Sequence, residues 1–129
     1  MVFFGKMAAA GAIWLAALAP AFAGALELVM FERPGCVYCA RWNSEVAPAY
    51  PLTPQGKQAP LARAQIHKDQ AAFALASPVI YTPTFVLMKD GREAGRIVGY
   101  ANDAMFWGLL SSMIEREGAA TEAPGAGEP

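Results

Sequence analysis

The stretch "YTPTFVLMKDGREAGRIVGY" (Tyr81 to Tyr100) narrows the folds open to this chain more than any other. Thr84 to Met88 is a β-rich run, Asp90-Gly91 suits a tight two-residue turn, and Arg92 to Val98 returns as the antiparallel partner. Upstream, "ALELVMF" (Ala25 to Phe31) is apolar on both alternating faces apart from Glu27, which suits a central strand covered on both sides. Pro34 and Gly35 end it. A helix follows with Cys39, Trp42 and Val46 at spacings of three and four, until Pro48, Pro51 and Pro54 stop it. Residues 54–60 read as a loop, and Leu61 to Ile66 as a second strand with Ala62, Ala64 and Ile66 on one face. Asp69 predicts the cap of a short helix over Gln70 to Ala76, closed by Ser77-Pro78. Asn102 predicts the cap of a last helix, with Asp103 in its first turn and Gly118 at its C-cap. Phe106, Leu109, Leu110, Met113 and Ile114 form its apolar face. The fold class is therefore α/β, β-α-β-α-β-β-α, with a central mixed sheet flanked by helices. A short helix between the first two strands makes them parallel, and the Asp90-Gly91 turn makes the last two antiparallel.

The 129 residues suffice for one domain of ordinary size. Lys6, the apolar run Met7 to Ala19 and the small-residue end "AFA" predict a secretory signal peptide over residues 1–23. The apolar run is shorter than the roughly 20 residues that span a bilayer. The folded domain is then residues 24–118, in the periplasm or outside the cell. Residues 119–129 form a small, Pro/Gly-rich tail expected to be disordered. With a formal net charge of −1 and no Lys/Arg stripe, the composition argues against a nucleic-acid partner.

Cys36 and Cys39 are the only cysteines, three residues apart at the start of the first helix. Thiol-disulfide exchange needs a thiolate that attacks and a second thiol that resolves the mixed disulfide, and this pair supplies both. At a helix start, unpaired N–H groups and the positive end of the dipole favour the Cys36 thiolate, and Arg33 and Arg41 are placed to add to this. Cys36 is the candidate nucleophile. Cys39, one turn in and more shielded, is the candidate resolving thiol. Two other readings compete. A purely structural disulfide closes so short a loop that it removes little unfolded-state entropy. A zinc site has too few ligands, because His67 is the only histidine and reads as a solvated loop residue. Cys pairs do select Cu(I), so a metal- or haem-delivery chaperone stays open beside the oxidoreductase, as does an oxidant or isomerase in disulfide formation. No cofactor beyond a Cys36-Cys39 redox disulfide is implied. Pro83 opens the strand after the second helix. A cis Thr82-Pro83 bond there would turn the Thr82 backbone outward beside the cysteines, where a partner's extended chain can pair with it. Thr82 and Pro83, with Val37 and Tyr38 between the cysteines, are the candidate docking residues.

"PGCVYCARW", "YTPTF", the hairpin and the amphipathic last helix resemble the thioredoxin superfamily over roughly residues 26–117. Tyr38 before the second cysteine is similar to the Pro-Tyr of glutaredoxins, with Val37 in place of the proline. Thioredoxin itself has Trp before its first cysteine, Gly-Pro between the pair and a buried Asp on the first strand; here those places hold Gly35, Val37-Tyr38 and Met30. With "GRIVGYANDAMFWGLL" added, the chain most resembles the SoxS family of bacterial thiosulfate oxidation. That resemblance implies a periplasmic reductase of a partner disulfide, such as one on the sulfur carrier SoxYZ, with electrons from a membrane thiol transporter.

Overall fold

A computed structural model describes residues 25–122 of the chain. The expected signal peptide and the last residues of the tail lie outside the described residues. Four strands form one sheet: β1 (Leu26–Glu32), β2 (Leu61–Gln65), β3 (Thr84–Lys89) and β4 (Arg92–Val98), in the order β2-β1-β3-β4. The sheet is mixed, as expected. β1 runs parallel to β2 with Leu28 opposite Leu61, and antiparallel to β3 with Phe31 opposite Thr84. Leu28, Val29, Met30 and Phe31 are completely buried because β1 is interior and covered on both faces. Asp90 and Gly91 both take positive φ, 51° and 78°, the backbone a two-residue turn between right-twisted strands requires.

The first face of the sheet carries the helices. Leu28, Met30, Phe85, Leu87 and Ile97 meet Cys39, Trp42 and Val46 from α1 (Val37–Glu45) and Phe106, Leu110, Met113 and Ile114 from α3 (Asp103–Glu122). Trp42 is the hub: its ring lies 5.0 Å from Phe85, 5.5 Å from Phe106 and 6.0 Å from Tyr50, centroid to centroid. Asn102 caps α3 as expected, its side chain accepting from Met105 N–H. Gly118 is not a C-cap, for the helix runs on to Glu122 and takes in the start of the expected tail. Leu109 departs from the expected apolar face and is 43% exposed.

Two further expectations change. Residues 54–60 are not a plain loop, because Pro54–Gln58 form a short helix, α2. The Thr53 hydroxyl caps it by accepting from Gly56 N–H at 3.0 Å, and Pro54 sits in its first turn, where the missing N–H costs nothing. Only glycine fits at position 56, since a Cβ there would lie 1.7 Å from the Tyr50 carbonyl oxygen. Conversely, the helix expected over residues 70–76 shrinks to a single 3-10 turn, Gln70–Ala72. Asp69 does not cap it; its carboxylate accepts instead from Gln65 N–H at 2.6 Å. The following chain is irregular, bridged to β4 at Ala74 and Arg92, and its Phe73 and Leu75 pack onto the second face of the sheet against Val29, Phe31, Val86 and Met88. The Gln70 amide holds this segment closed: it donates to Ile66 and Val79 carbonyls at 2.9 and 2.8 Å and accepts from Val79 N–H at 2.8 Å. Glu93 and Arg96 on β4 pin its other end, through Ala76 N–H and the Ser77 and Pro78 carbonyls.

Candidate active site

β1 ends at Glu32, and Gly35 at φ +76° turns the chain sharply into α1, with Cys36 N–H closing back on the Arg33 carbonyl. Cys36 is the N-cap of α1 in extended backbone, and its sulfur accepts from Cys39 N–H at 3.1 Å, a donor the helix leaves unpaired. The two cysteines form a disulfide across a Cα separation of 5.2 Å. Cys36 is half-buried and Cys39 only 3% exposed, packed into the aromatic core. The asymmetry is that of an accessible and a shielded sulfur.

The Thr82-Pro83 peptide is cis. Because Thr84 pairs with Phe31, near the end of β1, Pro83 lies at the end of the sheet from which the Cys36 turn departs. The Pro83 carbonyl accepts from Gly99 N–H at 2.7 Å, and the Thr84 hydroxyl donates to the Tyr81 carbonyl at 2.6 Å. Thr82 Oγ1 is buried without a hydrogen-bond partner. Tyr38 is exposed in the first turn of α1 and forms one wall of an apolar groove of about 460 Å³, completed by Val98 to Ala101, Met105 and Leu109. A second, more open concavity is lined by both cysteines with Glu32, Arg33, Val37 and Asn43.

Arg41 does not serve Cys36. Its guanidinium pairs with Glu45 at 3.3 Å, donates to the Ala101 carbonyl and lies 5.5 Å over the Tyr100 ring. The Tyr100 hydroxyl donates to Glu45 at 2.5 Å, which holds the Glu45 carboxyl below its usual range, with Arg41 adding to the effect. Burial, and then Glu45, push the Tyr100 phenol up to about 12. Arg33 is exposed, its backbone carbonyl accepts from Cys36 N–H, and it lines the concavity beside Cys36. His67 is exposed beyond β2. Sequence reasoning missed Glu32, Tyr100, Met105 and Leu109 as site residues. Glu32 ends β1 two residues beyond Met30, and it pairs with Arg63 at 2.8 Å.

Residues 23–114 match the model of the thioredoxin-like domain family. The chain belongs to the thioredoxin-like family. Among solved structures it is similar to the periplasmic thioredoxin SoxS from Paracoccus pantotrophus in its reduced form, 49% identical over 70% of this chain and 97% of that one, with a TM-score of 0.68. It is also similar to Fasciola hepatica thioredoxin, 26% identical over 70% of this chain and 83% of that one, TM-score 0.54. A thioredoxin from Thermus thermophilus, 23% identical over 81% and 85%, TM-score 0.57, shares the fold. No curated protein sequence matches. Within the thioredoxin-like family, a fold carrying a CxxC disulfide and this close to a SoxS thioredoxin is a thiol-disulfide oxidoreductase. No helix among the described residues is long and apolar enough to cross a membrane.

Proposed function

We propose that the chain is a periplasmic reductase of protein disulfides. The observation that carries this is the apolar surface around the cysteines. Of the eight large hydrophobic side chains exposed among the described residues, Val37, Tyr38, Val98, Met105 and Leu109 flank the pair or its groove, and Ile80 and Tyr81 lead into Pro83. Only Leu52 lies elsewhere. So concentrated a patch marks a surface that another macromolecule covers.

The reaction follows from the asymmetry of the pair. The Cys36 thiolate, favoured at the N-cap, attacks one sulfur of the partner's disulfide; a mixed disulfide forms, and the partner's other sulfur leaves as a thiolate and takes up a proton. Cys39, deprotonated, then attacks the Cys36 sulfur and releases the partner's second thiol. Two electrons pass to the partner and the Cys36-Cys39 disulfide remains, with no further cofactor. The cis Pro83 presents the Thr82 backbone, which pairs with the partner's chain, with Val37 and Tyr38 beside it. The likeness to a periplasmic SoxS thioredoxin supports the location and a sulfur-carrier partner such as SoxYZ, with a membrane thiol transporter restoring the thiols.

A Cys39→Ser chain incubated with periplasmic extract is expected to trap a covalent complex that dithiothreitol releases. Failure to trap any protein while Cys36 still reacts with thiol reagents overturns the assignment. The direction of electron flow has its own test: the expected potential lies nearer about −270 mV than about −120 mV, and a value above about −150 mV makes the chain an oxidant.

A further inference from the structure

Arg41, Glu45 and Tyr100 are joined to one another but make no hydrogen bond or ion pair with either cysteine. Glu45 is the last residue of α1, where a negative charge opposes the helix dipole. Its carboxylate is occupied by the Tyr100 hydroxyl on one oxygen and by Arg41 on the other, while Arg41 reaches on to the Ala101 carbonyl. Tyr100 and Ala101 line the apolar groove whose opposite wall is Tyr38, in the first turn of the same helix. The segment between β4 and α3 is thus held at two places: Gly99, at φ +84°, donates to the Pro83 carbonyl, and the next two residues are tied to α1. The Tyr100 ring is buried against Phe106 independently of its hydroxyl. Arg41 and Glu45 side chains are 42% and 39% exposed, and a pair so exposed adds little to folding stability.

We propose that the Arg41–Glu45–Tyr100 contact is a positioning device that fixes the far rim of the groove against the active-site helix, and so selects protein disulfides whose flanking residues fill the groove. It takes no part in the exchange. This inference rests on the protein-disulfide reading above.

The test compares second-order rate constants of the reduced full-length chain with insulin, a protein disulfide, and with dithiobis(nitrobenzoate), a small disulfide that needs no groove. Glu45→Ala is expected to slow the insulin reaction about 5- to 10-fold, the loss that one ordinary hydrogen bond supports, and to change the small-disulfide reaction less than about twofold. Glu45→Gln keeps an acceptor for the Tyr100 hydroxyl and is expected to recover most of the insulin rate. Equal losses with both disulfides overturn the proposal, since Glu45 then acts through the thiols, and so does no loss with either. A Glu45→Gln chain as slow as Glu45→Ala, or a Glu45→Ala chain that does not fold, also overturns it. A wild-type chain that reacts with the small disulfide but with no protein disulfide fails the functional reading itself, a result visible before any variant is made.

Discussion

The two faces of the sheet are closed by different means, and each delivers one half of the site. On the first face, regular helices bury an aromatic cluster around Trp42, and the helix that contributes Trp42 also presents Cys36 at its cap and seats Cys39 in that core. On the second face, an irregular segment lies over Val29, Phe31, Val86 and Met88, held by the amide of Gln70 and the charges of Glu93 and Arg96, and it leads to the cis Thr82-Pro83 bond. Both bury apolar side chains; the second also depends on a few polar side chains that satisfy backbone groups of its irregular segment. The thiols are thus carried by the face packed with regular helices, and Thr82 and Pro83 by the segment that covers the other.

Trp42→Ala breaks the first face outright. It removes a fully buried indole from contact with Phe85, Phe106 and Tyr50, and the loss is expected at about 3–5 kcal/mol in denaturant unfolding. A loss under about 1 kcal/mol would mean that the aromatic cluster is not the core. Gln70→Ala is the matching cut on the second face. It orphans the Ile66 and Val79 backbone groups at a cost of about 2 kcal/mol. Hydrogen exchange should rise in residues 66–83 while β1 stays protected, and uniform exchange would show that the faces do not open separately.

These faces were not equally legible in the sequence. Cys39, Trp42 and Val46, and Phe106, Leu110, Met113 and Ile114, repeat at helical spacing, so the helical face could be read from periodicity alone. Leu109 fits the same apolar pattern, yet it faces the groove; its role depends on Tyr38 approaching from another helix, which no local pattern records. Gln70 resembles any polar helix residue until Val79 comes beside it, and its bonds to Val79 outcompete the helix that Asp69 predicts. The Thr53-Pro54 cap of α2 was readable, being an N-cap residue followed by proline, but the proline density around it spoke for a loop.

The charge pair of the second face gives a smaller, pH-dependent effect. Arg96 first, and then the Ala76 N–H, hold the Glu93 carboxyl below its usual value despite its burial. A depressed folded value means stability that is present above the unfolded value near 4.5 and is lost as pH falls through the folded one. Glu93→Gln is expected to cost about 1–2 kcal/mol at neutral pH and to flatten the decline in stability below pH of about 4.5. Unfolding midpoints measured from pH of about 7 down to about 3 check this; an unchanged acid limb would assign the acid sensitivity to other carboxylates.

The smallest effect on stability tests the division most directly, because it lies on α3 of the well-packed face, at a side chain that is not part of its buried core. Leu109 is 43% exposed and lines the groove opposite Tyr38, while its neighbour Leu110 is fully buried. Leu109→Ser should therefore change unfolding free energy by no more than about 0.5 kcal/mol, whereas Leu110→Ala should cost about 2–5 kcal/mol. Reduction of a protein disulfide should respond in the opposite order, with Leu109→Ser slowing it several-fold through lost apolar contact and Leu110→Ala altering it only as far as the fold loosens. Equal effects of the two substitutions on exchange would mean that the groove is not where the partner rests. A large stability loss at Leu109 would mean that its exposed face is covered by the chain itself rather than by a partner.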